Sequence, residues 1–432
     1  MTTQTGESLS LNQWLDRLEK NHPVEIDLGL DRIAEVARRL NLPRPARRVV
    51  TVAGTNGKGS CVRTLEHILL ASGLSVGTYT SPHLLRYNER IRIGGEEAAD
   101  SDICRAFAAI DSARGEVSLT YFEVGTLAAL QLMAAADLDV AILEVGLGGR
   151  FDAVNLIDAD IAVITPIDID HASWLGDTRE LIAVEKAGIA RAGGLVIVAD
   201  EQPPASLRKN LAAMGCRTLY IHSDFRIQRE GESNIILQLA SSASGSASAE
   251  PQHTLFPSLP LPGLPLPSVA AAIQAAVLLG VALDGDMLAR TCQEVTLPGR
   301  FQQQRFRGRR VVLDVAHNPA AAALLCEKLQ NLGENSVALV AAIMADKDVA
   351  GFVAALAPVA RCWYTGDLIA LPRALAAQQL AAVVYTGGQR ALTAGRIEEA
   401  FEAALDATAE GGLVVVCGSF FTVAAIMRFM GV

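Results

Sequence analysis

The chain has 432 residues, of which 50% are hydrophobic and 19% are charged, and its formal net charge is −10. This length exceeds that of one ordinary domain, so we expect more than one. No stripe of Lys and Arg indicates a nucleic-acid partner, and no run of eighteen apolar residues indicates a membrane span. The seven scattered cysteines and the absence of a signal-peptide pattern predict a cytoplasmic protein.

A helical arm is predicted at Leu9–Leu42, and strands and helices alternate from Arg48 onward. The apolar strand Val49–Ala53 leads into a glycine-rich turn and then into a helix predicted over Val62–Leu70. This order forms a phosphate cradle, because glycines let backbone N–H groups approach an anion at a helix N-terminus. The candidate nucleotide-binding residues are Gly54, Thr55, Asn56, Gly57, Lys58, Gly59 and Ser60.

The glycine-rich turn differs from a standard Walker A sequence, because Val52 replaces the first glycine and Gly59 separates Lys58 from Ser60. We expect Lys58 to reach the outer phosphates and Ser60 to ligate Mg²⁺. The alternative is an ordinary glycine turn with a solvated lysine. Three glycines, a lysine and a serine in one turn after a buried strand disfavour that alternative.

The alternation predicts an α/β fold, with a parallel-sheet domain over residues 1–298 and a smaller Rossmann-like α/β domain over 299–432. The further elements predicted in the first domain are strands Ser75–Tyr79, Asp139–Val145, Ile161–Thr165 and Leu195–Ala199, and helices Phe122–Ala136, Thr178–Arg191, Ser268–Leu279 and Asp284–Glu294. The Ser- and Pro-rich stretch Ser241–Pro267 follows the β-rich Arg226–Leu239 and predicts a long surface connection without a regular core element.

The second domain is predicted to start after a linker at Thr296–Arg300. Its alternating elements are predicted at Val311–Val315, Ala320–Leu332, Ser336–Ala342, Val349–Leu356, Val383–Thr386, Ile397–Ala407, Leu413–Cys417 and Thr422–Met430. Asp314 lies at the end of the first of these strands, where an Asp can bind a ribose hydroxyl, and His317 can reach a phosphate. We expect ATP to bind between the two domains.

Polar side chains also follow the strands of the first domain. Glu144 ends one apolar strand, and Asp170 and His171 follow another. Because ligands bind at the carboxyl ends of parallel strands, we expect Glu144 to hold Mg²⁺ and His171 to ligate or support a metal. From its own position in a helix, Lys186 is best interpreted as half of a solvated Glu-Lys pair.

A series of segments occurs in one order along the chain: GTNGKGS, SPHL, EVGLGGRFDAVN, DHASWLGDT, EKAGI, PGRFQ, DVAHNP, DKD and GSFFTVA. With these segments the chain resembles the folylpolyglutamate synthase/dihydrofolate synthase family of the Mur ligase superfamily, from about Leu11 to the C-terminus. The resemblance implies an ATP-dependent amide ligase that adds L-glutamate to dihydropteroate, forming dihydrofolate, and to the γ-carboxylate of reduced folates through an acyl phosphate. It also implies a monomer.

The resemblance assigns a role to each matching residue. Ser81 and Glu144 would ligate Mg²⁺ with Ser60, and His171 and Lys186 would form a second metal site, in which Lys186 is carbamylated. That role replaces the solvated interpretation of Lys186. The implied substrate contacts are Phe122, Glu123, Arg150, Asp152, Asn155, His317 and Ser419, the implied nucleotide contacts are Arg300 and Asp314, and the implied catalytic residues are Lys58, His171, Lys186 and His317.

The chain departs from the family pattern at Ser268, where an asparagine is usual, and at Val154, where threonine is common. Two other functions agree less well with the sequence. A peptidoglycan-type Mur ligase would carry a further domain before the phosphate loop, where this sequence has only a helical arm. A non-catalytic nucleotide-binding switch would not need carboxylates at the strand ends of two domains.

Overall fold

The structure is a computed structural model that describes residues 9–22, 24, 26–240, 253–369 and 371–432. It contains two compact units. Unit 1 comprises Met1–His83, Tyr87–Ile169 and Leu175–Val295, and unit 2 comprises Leu84–Arg86, Asp170–Trp174 and Thr296–Val432. Both are α/β units, which confirms the predicted fold class. The domain boundary expected between residues 298 and 299 stays a prediction.

The helices up to Val295 are α1 (Leu11–Asn21), α2 (Asp31–Arg39), α3 (Lys58–Ala71), α4 (Asp100–Arg114), α5 (Tyr121–Ala135), α6 (Ala172–Leu175), α7 (Arg179–Ala187), α8 (Ala205–Ala213), α9 (Leu266–Leu278) and α10 (Gly285–Glu294). The strands are β1 (Ala46–Ala53), β2 (Val76–Tyr79), β3 (Ile91–Ile93), β4 (Glu96–Glu97), β5 (Leu138–Glu144), β6 (Ile161–Ile164), β7 (Leu195–Val198), β8 (Arg217–Tyr220), β9 (Arg226–Glu230), β10 (Asn234–Ala240) and β11 (His253–Pro260).

The main sheet of unit 1 has the order β4-β3-β2-β5-β1-β6-β7-β8 in the described residues. Its strands are parallel except for β3 and β4, which run antiparallel to their neighbours. Strand β1 lies between β5 and β6, and Val49 to Ala53 are completely buried apart from the slightly less buried Thr51. In register, Val52 pairs with Glu144 and Ala53 with Ile164, so the loops that follow these three strands start side by side.

The arm at the N-terminus is two helices, whereas a single helical stretch was predicted. Helix α1 begins with a capping box between Ser10 and Gln13, and buries Trp14 against the ring of Phe107 in α4, with centroids 6.1 Å apart. The sequence places Pro23 soon after α1, and proline does not continue a helix. Helix α7 also ends earlier than predicted, at Ala187.

A second sheet of unit 1 corrects the prediction for Ser241–Pro267. Strand β11 pairs antiparallel with β10, from His253 opposite Ala240 to Pro260 opposite Asn234. Residues 241–252 lie outside the described residues. Prolines are tolerated in β11 because it is an edge strand and most of it is exposed, whereas a central strand would need the missing N–H groups.

Unit 2 contains a sheet of order β12-β13-β17-β14-β15-β16 in the described residues. Its elements are β12 (Gln302–Phe306), β13 (Arg309–Leu313), α11 (Pro319–Asn331), β14 (Val337–Ala341), α12 (Val349–Leu356), β15 (Ala360–Thr365), α13 (Ala377–Thr386), β16 (Ala391–Thr393), α14 (Ile397–Asp406), β17 (Leu413–Cys417) and α15 (Phe420–Met430). Among the described strands of this sheet, β12 and β13 pair antiparallel and the other neighbours pair parallel. Residues Val383–Thr386 lie at the end of α13, and β15 and β16 were not predicted.

Helix α3, which follows the phosphate loop, is held to the sheet by a buried carboxylate. The side chain of Glu66 is 2% exposed and pairs with Arg63 at 2.5 Å and with Arg92 of β3 at 3.0 Å. Each charge is neutralised by a partner, which a buried carboxylate requires. Among the helices of the described ranges, none combines the length and the apolar character that crossing a membrane requires.

Candidate active site

The phosphate loop occupies the turn between β1 and α3. Gly57 is the N-cap of α3 and has a φ of +85°, in the left-handed region that favours glycine. A Cβ atom on Gly54 would lie 1.8 Å from Thr165 Oγ1, and one on Gly57 would lie 2.1 Å from Ser268 Oγ. Glycine is therefore required at both positions, because neighbouring side chains already fill the space.

Two lysine ammonium groups converge on one carbonyl oxygen of this loop. Lys58 Nζ donates to the carbonyl oxygens of Gly54 at 3.1 Å and of Thr55 at 3.2 Å. Lys186 Nζ donates to the same Gly54 oxygen at 2.9 Å, and Lys186 is only 3% exposed. The structure thus brings together two of the predicted catalytic residues of unit 1. Two positive charges at a helix N-terminus favour an anion there.

Ser60 and Glu144 are suitable oxygen ligands for a divalent cation. Ser60 Oγ is buried and has no hydrogen-bond partner among the described residues, which is unusual for a buried hydroxyl. Glu144 is 4% exposed, and its Oε2 accepts the backbone N–H of Ser81 at 3.3 Å. Hydroxyl and carboxylate oxygens fit Mg²⁺, which usually keeps several waters. No cluster of three or more His, Cys, Asp or Glu residues suited to a metal occurs in the part of the chain that the structure describes.

Glycines place helix α7, and with it Lys186, against the loop that follows β5. A Cβ on Gly149 would lie 2.7 Å from the carbonyl oxygen of Glu185 and 3.1 Å from Lys186 Cα. The N–H of Arg150 donates to that same Glu185 oxygen at 2.9 Å. Asn155, a predicted substrate contact, donates its side-chain amide to the carbonyls of Arg150 at 2.8 Å and Gly188 at 3.0 Å. Asn155 therefore holds the loop that follows β5 against the end of α7.

Asp152 is a buried carboxylate, 2% exposed, in the same loop. Its oxygens accept the backbone N–H groups of Leu147 at 2.8 Å and Val154 at 3.0 Å. Burial raises the pKa of Asp152 from 3.8 to about 6, although these N–H groups and the charge of Lys58 oppose the rise. Asp152 can consequently change its charge near neutral pH.

The predicted substrate contacts on α5 have structural partners. Glu123 Oε2 accepts the N–H of Thr120 at 2.7 Å in the capping box that begins α5, and Glu123 Oε1 accepts from Arg32 at 3.2 Å. The ring of Phe122 lies beside that of Tyr79, with centroids 5.8 Å apart. A Cβ on Gly146 would lie 2.7 Å from the Phe122 ring, so the lack of a side chain at Gly146 leaves the space that the ring occupies.

In unit 2, Asp314 holds the chain at the end of β13. Its carboxylate oxygens accept the N–H groups of Phe301 and Ala316, each at 2.8 Å. Burial raises the pKa of Asp314, and the charge of Arg300 opposes that rise. The guanidinium of Arg300 lies over the ring of Phe420, 4.9 Å from its centroid. Arg300 thus lies close enough to Asp314 to affect its charge, and the nucleotide contacts of both residues stay a prediction.

Asp170 of unit 2 has two charged partners, and neither pairing was predicted from the sequence. Its Oδ2 lies 3.3 Å from His317 Nε2, and its Oδ1 pairs with Lys347 Nζ. Burial raises the pKa of Asp170, but the hydrogen bond from His317 and the charges of His171 and Lys347 outweigh burial and hold this pKa well below its usual range. Lys347 was not among the predicted site residues, although the segment DKD contains it.

The remaining predicted residues lie as follows. His171 belongs to unit 2, whereas Lys186 belongs to unit 1. Ser419 is the N-cap of α15, where its Oγ accepts the N–H of Thr422 at 3.0 Å and lies 2.7 Å from Thr422 Oγ1. Ser419 is 4% exposed, so this hydrogen-bonded hydroxyl is buried.

Comparison with known proteins places the chain in a family. The models of the Mur ligase middle domain and of the Mur ligase glutamate ligase domain match residues 52–263 and 299–420. The dihydrofolate synthase/folylpolyglutamate synthase of Escherichia coli (strain K12) is 44% identical over 421 residues, which cover 97% of this chain and 95% of the relative. The Haemophilus influenzae protein of the same name is 38% identical and covers 96% of each chain. The chain belongs to the dihydrofolate synthase/folylpolyglutamate synthase family.

Solved structures of this family have the same fold. E. coli FolC in complex with DHPP and ADP has a TM-score of 0.90 at 40% identity, and the match covers 99% of both chains. The bifunctional folylpolyglutamate synthase/dihydrofolate synthase of Yersinia pestis, complexed with AMPPNP and Mn ion, has a TM-score of 0.89 at 40% identity. It covers 99% of this chain and all of its own. The resemblance inferred from the sequence is confirmed.

Replacement of Gly57 by alanine should abolish nucleotide binding, because the new methyl group would meet Ser268 Oγ at 2.1 Å and would require a φ of +85°. Adding Ser268→Ala removes that oxygen and should restore part of the affinity, leaving only the backbone strain. Calorimetric titration of each variant with ADP measures its nucleotide affinity. Equal ADP affinities for Gly57→Ala and for the double variant would contradict the contact.

The stability of the protein should respond to pH through Asp152. Because the pKa of Asp152 is raised from 3.8 to about 6 in the folded protein, folding is favoured where this carboxyl is protonated. The resulting contribution to the free energy of unfolding is complete below pH 4 and is lost as pH rises through 6. Asp152→Asn cannot ionise, so wild type should lose about 1.5 kcal/mol relative to this variant between pH 5 and pH 7.5. Urea unfolding at both pH values measures the difference. A difference that does not change with pH would refute the assigned pKa.

Proposed function

We propose that this chain joins L-glutamate to dihydropteroate, forming dihydrofolate, and to the γ-carboxylate of reduced folates. Its membership of the family makes it an ATP-dependent ligase that uses glutamate in folate metabolism. The observation that best supports the finer proposal is the convergence of Lys58 and Lys186 on the Gly54 carbonyl, beside the buried hydroxyl of Ser60. This arrangement suits a nucleotide phosphate that is transferred to a carboxylate.

The cofactors are ATP and a divalent metal, in agreement with relatives that contain ADP, or AMPPNP and Mn ion. We propose two Mg²⁺ sites, one at Ser60, Ser81 and Glu144 and one at His171 and Lys186. We also propose that Lys186 is carbamylated: its neutral amine adds CO₂ and releases a proton, so that carboxylate-like oxygens replace an ammonium. The position of Lys186 supports this, because it is 3% exposed and its Nζ lies at the phosphate loop, where carboxylate-like oxygens would suit a divalent cation.

The proposed reaction has two steps. A carboxylate is a poor acyl donor, so ATP first phosphorylates it to an acyl phosphate; the amine of glutamate then attacks the acyl carbon, and phosphate leaves. The N–H groups of the phosphate loop and the ammonium of Lys58 would hold the transferred phosphoryl group in place. A bound divalent metal would neutralise charge on the phosphates.

The other site residues keep their proposed roles. Phe122, Glu123, Arg150, Asp152 and Asn155 would shape the pteroate side of the site, although Glu123 and Asn155 act through the structural contacts described above. Arg300 and Asp314 would bind the nucleotide, and His317 and Ser419 would act on phosphate or glutamate. We further propose that the enzyme is a cytoplasmic monomer with small-molecule substrates.

The function is tested with dihydropteroate labelled with ¹⁸O in its carboxylate, together with ATP, Mg²⁺ and glutamate. One labelled oxygen should appear in the released phosphate, because the acyl phosphate loses that oxygen with the leaving group. Mass spectrometry of the products should show dihydrofolate, and with tetrahydrofolate it should show an added glutamate. Nucleotide binding without turnover dependent on these substrates would support a non-catalytic switch and overturn the proposal.

Lys186→Ala should lower kcat by at least about 100-fold, because it removes both a metal ligand and a donor to the phosphate loop. The matched control is Lys209→Ala, since Lys209 lies on the exposed side of α8. Steady-state kinetics with saturating ATP measures both variants. A kcat for Lys186→Ala within a few-fold of that for Lys209→Ala would overturn the proposed catalytic role of this lysine.

A further inference from the structure

The backbone of Ile167, in the loop that follows β6, is held on both sides by one ion pair. Its N–H donates to Asp200 Oδ2 at 2.7 Å, and its carbonyl oxygen accepts from Arg179 Nε at 2.9 Å. Arg179 Nη2 in turn donates to Asp200 Oδ1 at 3.0 Å and Oδ2 at 2.9 Å. We call these three residues the Ile167 clamp.

The clamp is well shielded from water at its carboxylate. The side chain of Asp200, which follows β7, is 4% exposed, and that of Arg179 is 36% exposed. Asp200 Oδ1 also accepts the N–H of Gln202 at 2.8 Å. Charge-assisted hydrogen bonds are strong at such sites, and the loss of one partner leaves the other charge uncompensated. The Ile167 peptide is therefore firmly fixed.

The residues on either side of Ile167 bind the phosphate loop. The carbonyl oxygen of Pro166 accepts the N–H groups of Thr55 at 2.9 Å and Asn56 at 3.3 Å. Thr55 Oγ1 accepts the N–H of Asp168 and donates to the carbonyl oxygen of Asp168, both at 2.9 Å. The position of the phosphate loop thus depends on the segment that the clamp holds.

The clamp also fixes the start of the helix that carries Lys186. Arg179 is the first residue of α7, and Lys186 lies two turns further along the same helix. The next residue, Glu180, accepts the N–H groups of Ala205 at 3.1 Å and Ser206 at 2.7 Å at the start of α8. One ion pair therefore connects the phosphate loop with the helix whose lysine donates to Gly54.

We propose that Arg179 and Asp200 are positioning residues for nucleotide binding. They hold the Pro166–Asp168 backbone, which keeps Thr55 and Asn56 in the conformation that binds phosphate, and they set the start of α7. The inference rests on the proposed function for its kinetic readout, whereas its binding readout needs only the nucleotide.

The same sheet supplies a matched control at the amino-terminal ends of its parallel strands. Asp160 precedes β6 and combines an arginine with a backbone N–H, as Asp200 does. It accepts from Arg44 Nη2 at 2.6 Å and from the N–H of Val49 at 2.7 Å. Val49 lies in the amino-terminal half of β1, away from the phosphate loop at its carboxyl end. Loss of this carboxylate should affect stability alone.

The test compares Asp200→Asn with Asp160→Asn in the full chain. Calorimetric titration with ADP and Mg²⁺ gives the nucleotide affinity, and steady-state kinetics gives the KM values for ATP and glutamate. We expect Asp200→Asn to weaken ADP binding and raise the KM for ATP about tenfold, with the KM for glutamate unchanged. Asp160→Asn should lower the unfolding temperature and leave all three constants at their wild-type values.

A second pair of variants keeps the test decisive if Asp200→Asn fails to fold. Arg179→Lys retains the charge, but one ammonium group cannot replace the planar fork that reaches both Ile167 and Asp200. It should weaken ADP binding more than Arg44→Lys does. ADP affinities equal to those of the controls would overturn the clamp, whether or not the enzyme ligates glutamate; absence of turnover in the wild type would instead overturn the proposed function.

Discussion

The carbonyl oxygen of Gly54 is the point on which the described architecture of unit 1 depends. It accepts from Lys58 and from the buried Lys186, so one backbone atom joins the phosphate loop to helix α7. The contact between the phosphate loop and α7 requires that β1 ends between two parallel neighbours, because the loops that follow three adjacent parallel strands start close together. The glycine-rich loops are the second requirement, since side chains would separate the backbones that must touch.

Carboxylates of each unit differ in charge because their partners differ. Asp152 and Asp314 accept mainly backbone N–H groups, and burial raises the pKa of each. Asp170 has His317 and Lys347 as partners, and its pKa is lowered. Burial alone thus favours the neutral carboxyl, whereas adjacent cations restore the carboxylate. Similar side chains at the ends of strands can therefore serve different purposes.

Local sequence patterns predicted a large part of this protein. The phosphate loop was identifiable because strand, glycines, lysine and helix are neighbours in sequence, and Glu144 was identifiable because it ends an apolar strand. Val383–Thr386 was placed wrongly, because a short β-branched run fits a strand as well as a helix end. The Ile167 clamp was missed, because a charged residue that binds a distant backbone group leaves no periodic pattern. The structural roles of Glu123 and Asn155 were missed for the same reason.

The contact of Gly149 with Glu185 and Lys186 has a consequence for how the family can vary. The distance between helix α7 and the loop that follows β5 is set where these two backbones touch, with no side chain between them. Hydrophobic residues elsewhere in the core can therefore drift during evolution, and repack at a cost in stability, without altering this spacing. A mutation that adds one methyl group at Gly149 would change the spacing directly. The position of α7 against this loop thereby depends little on sequence changes elsewhere in the core.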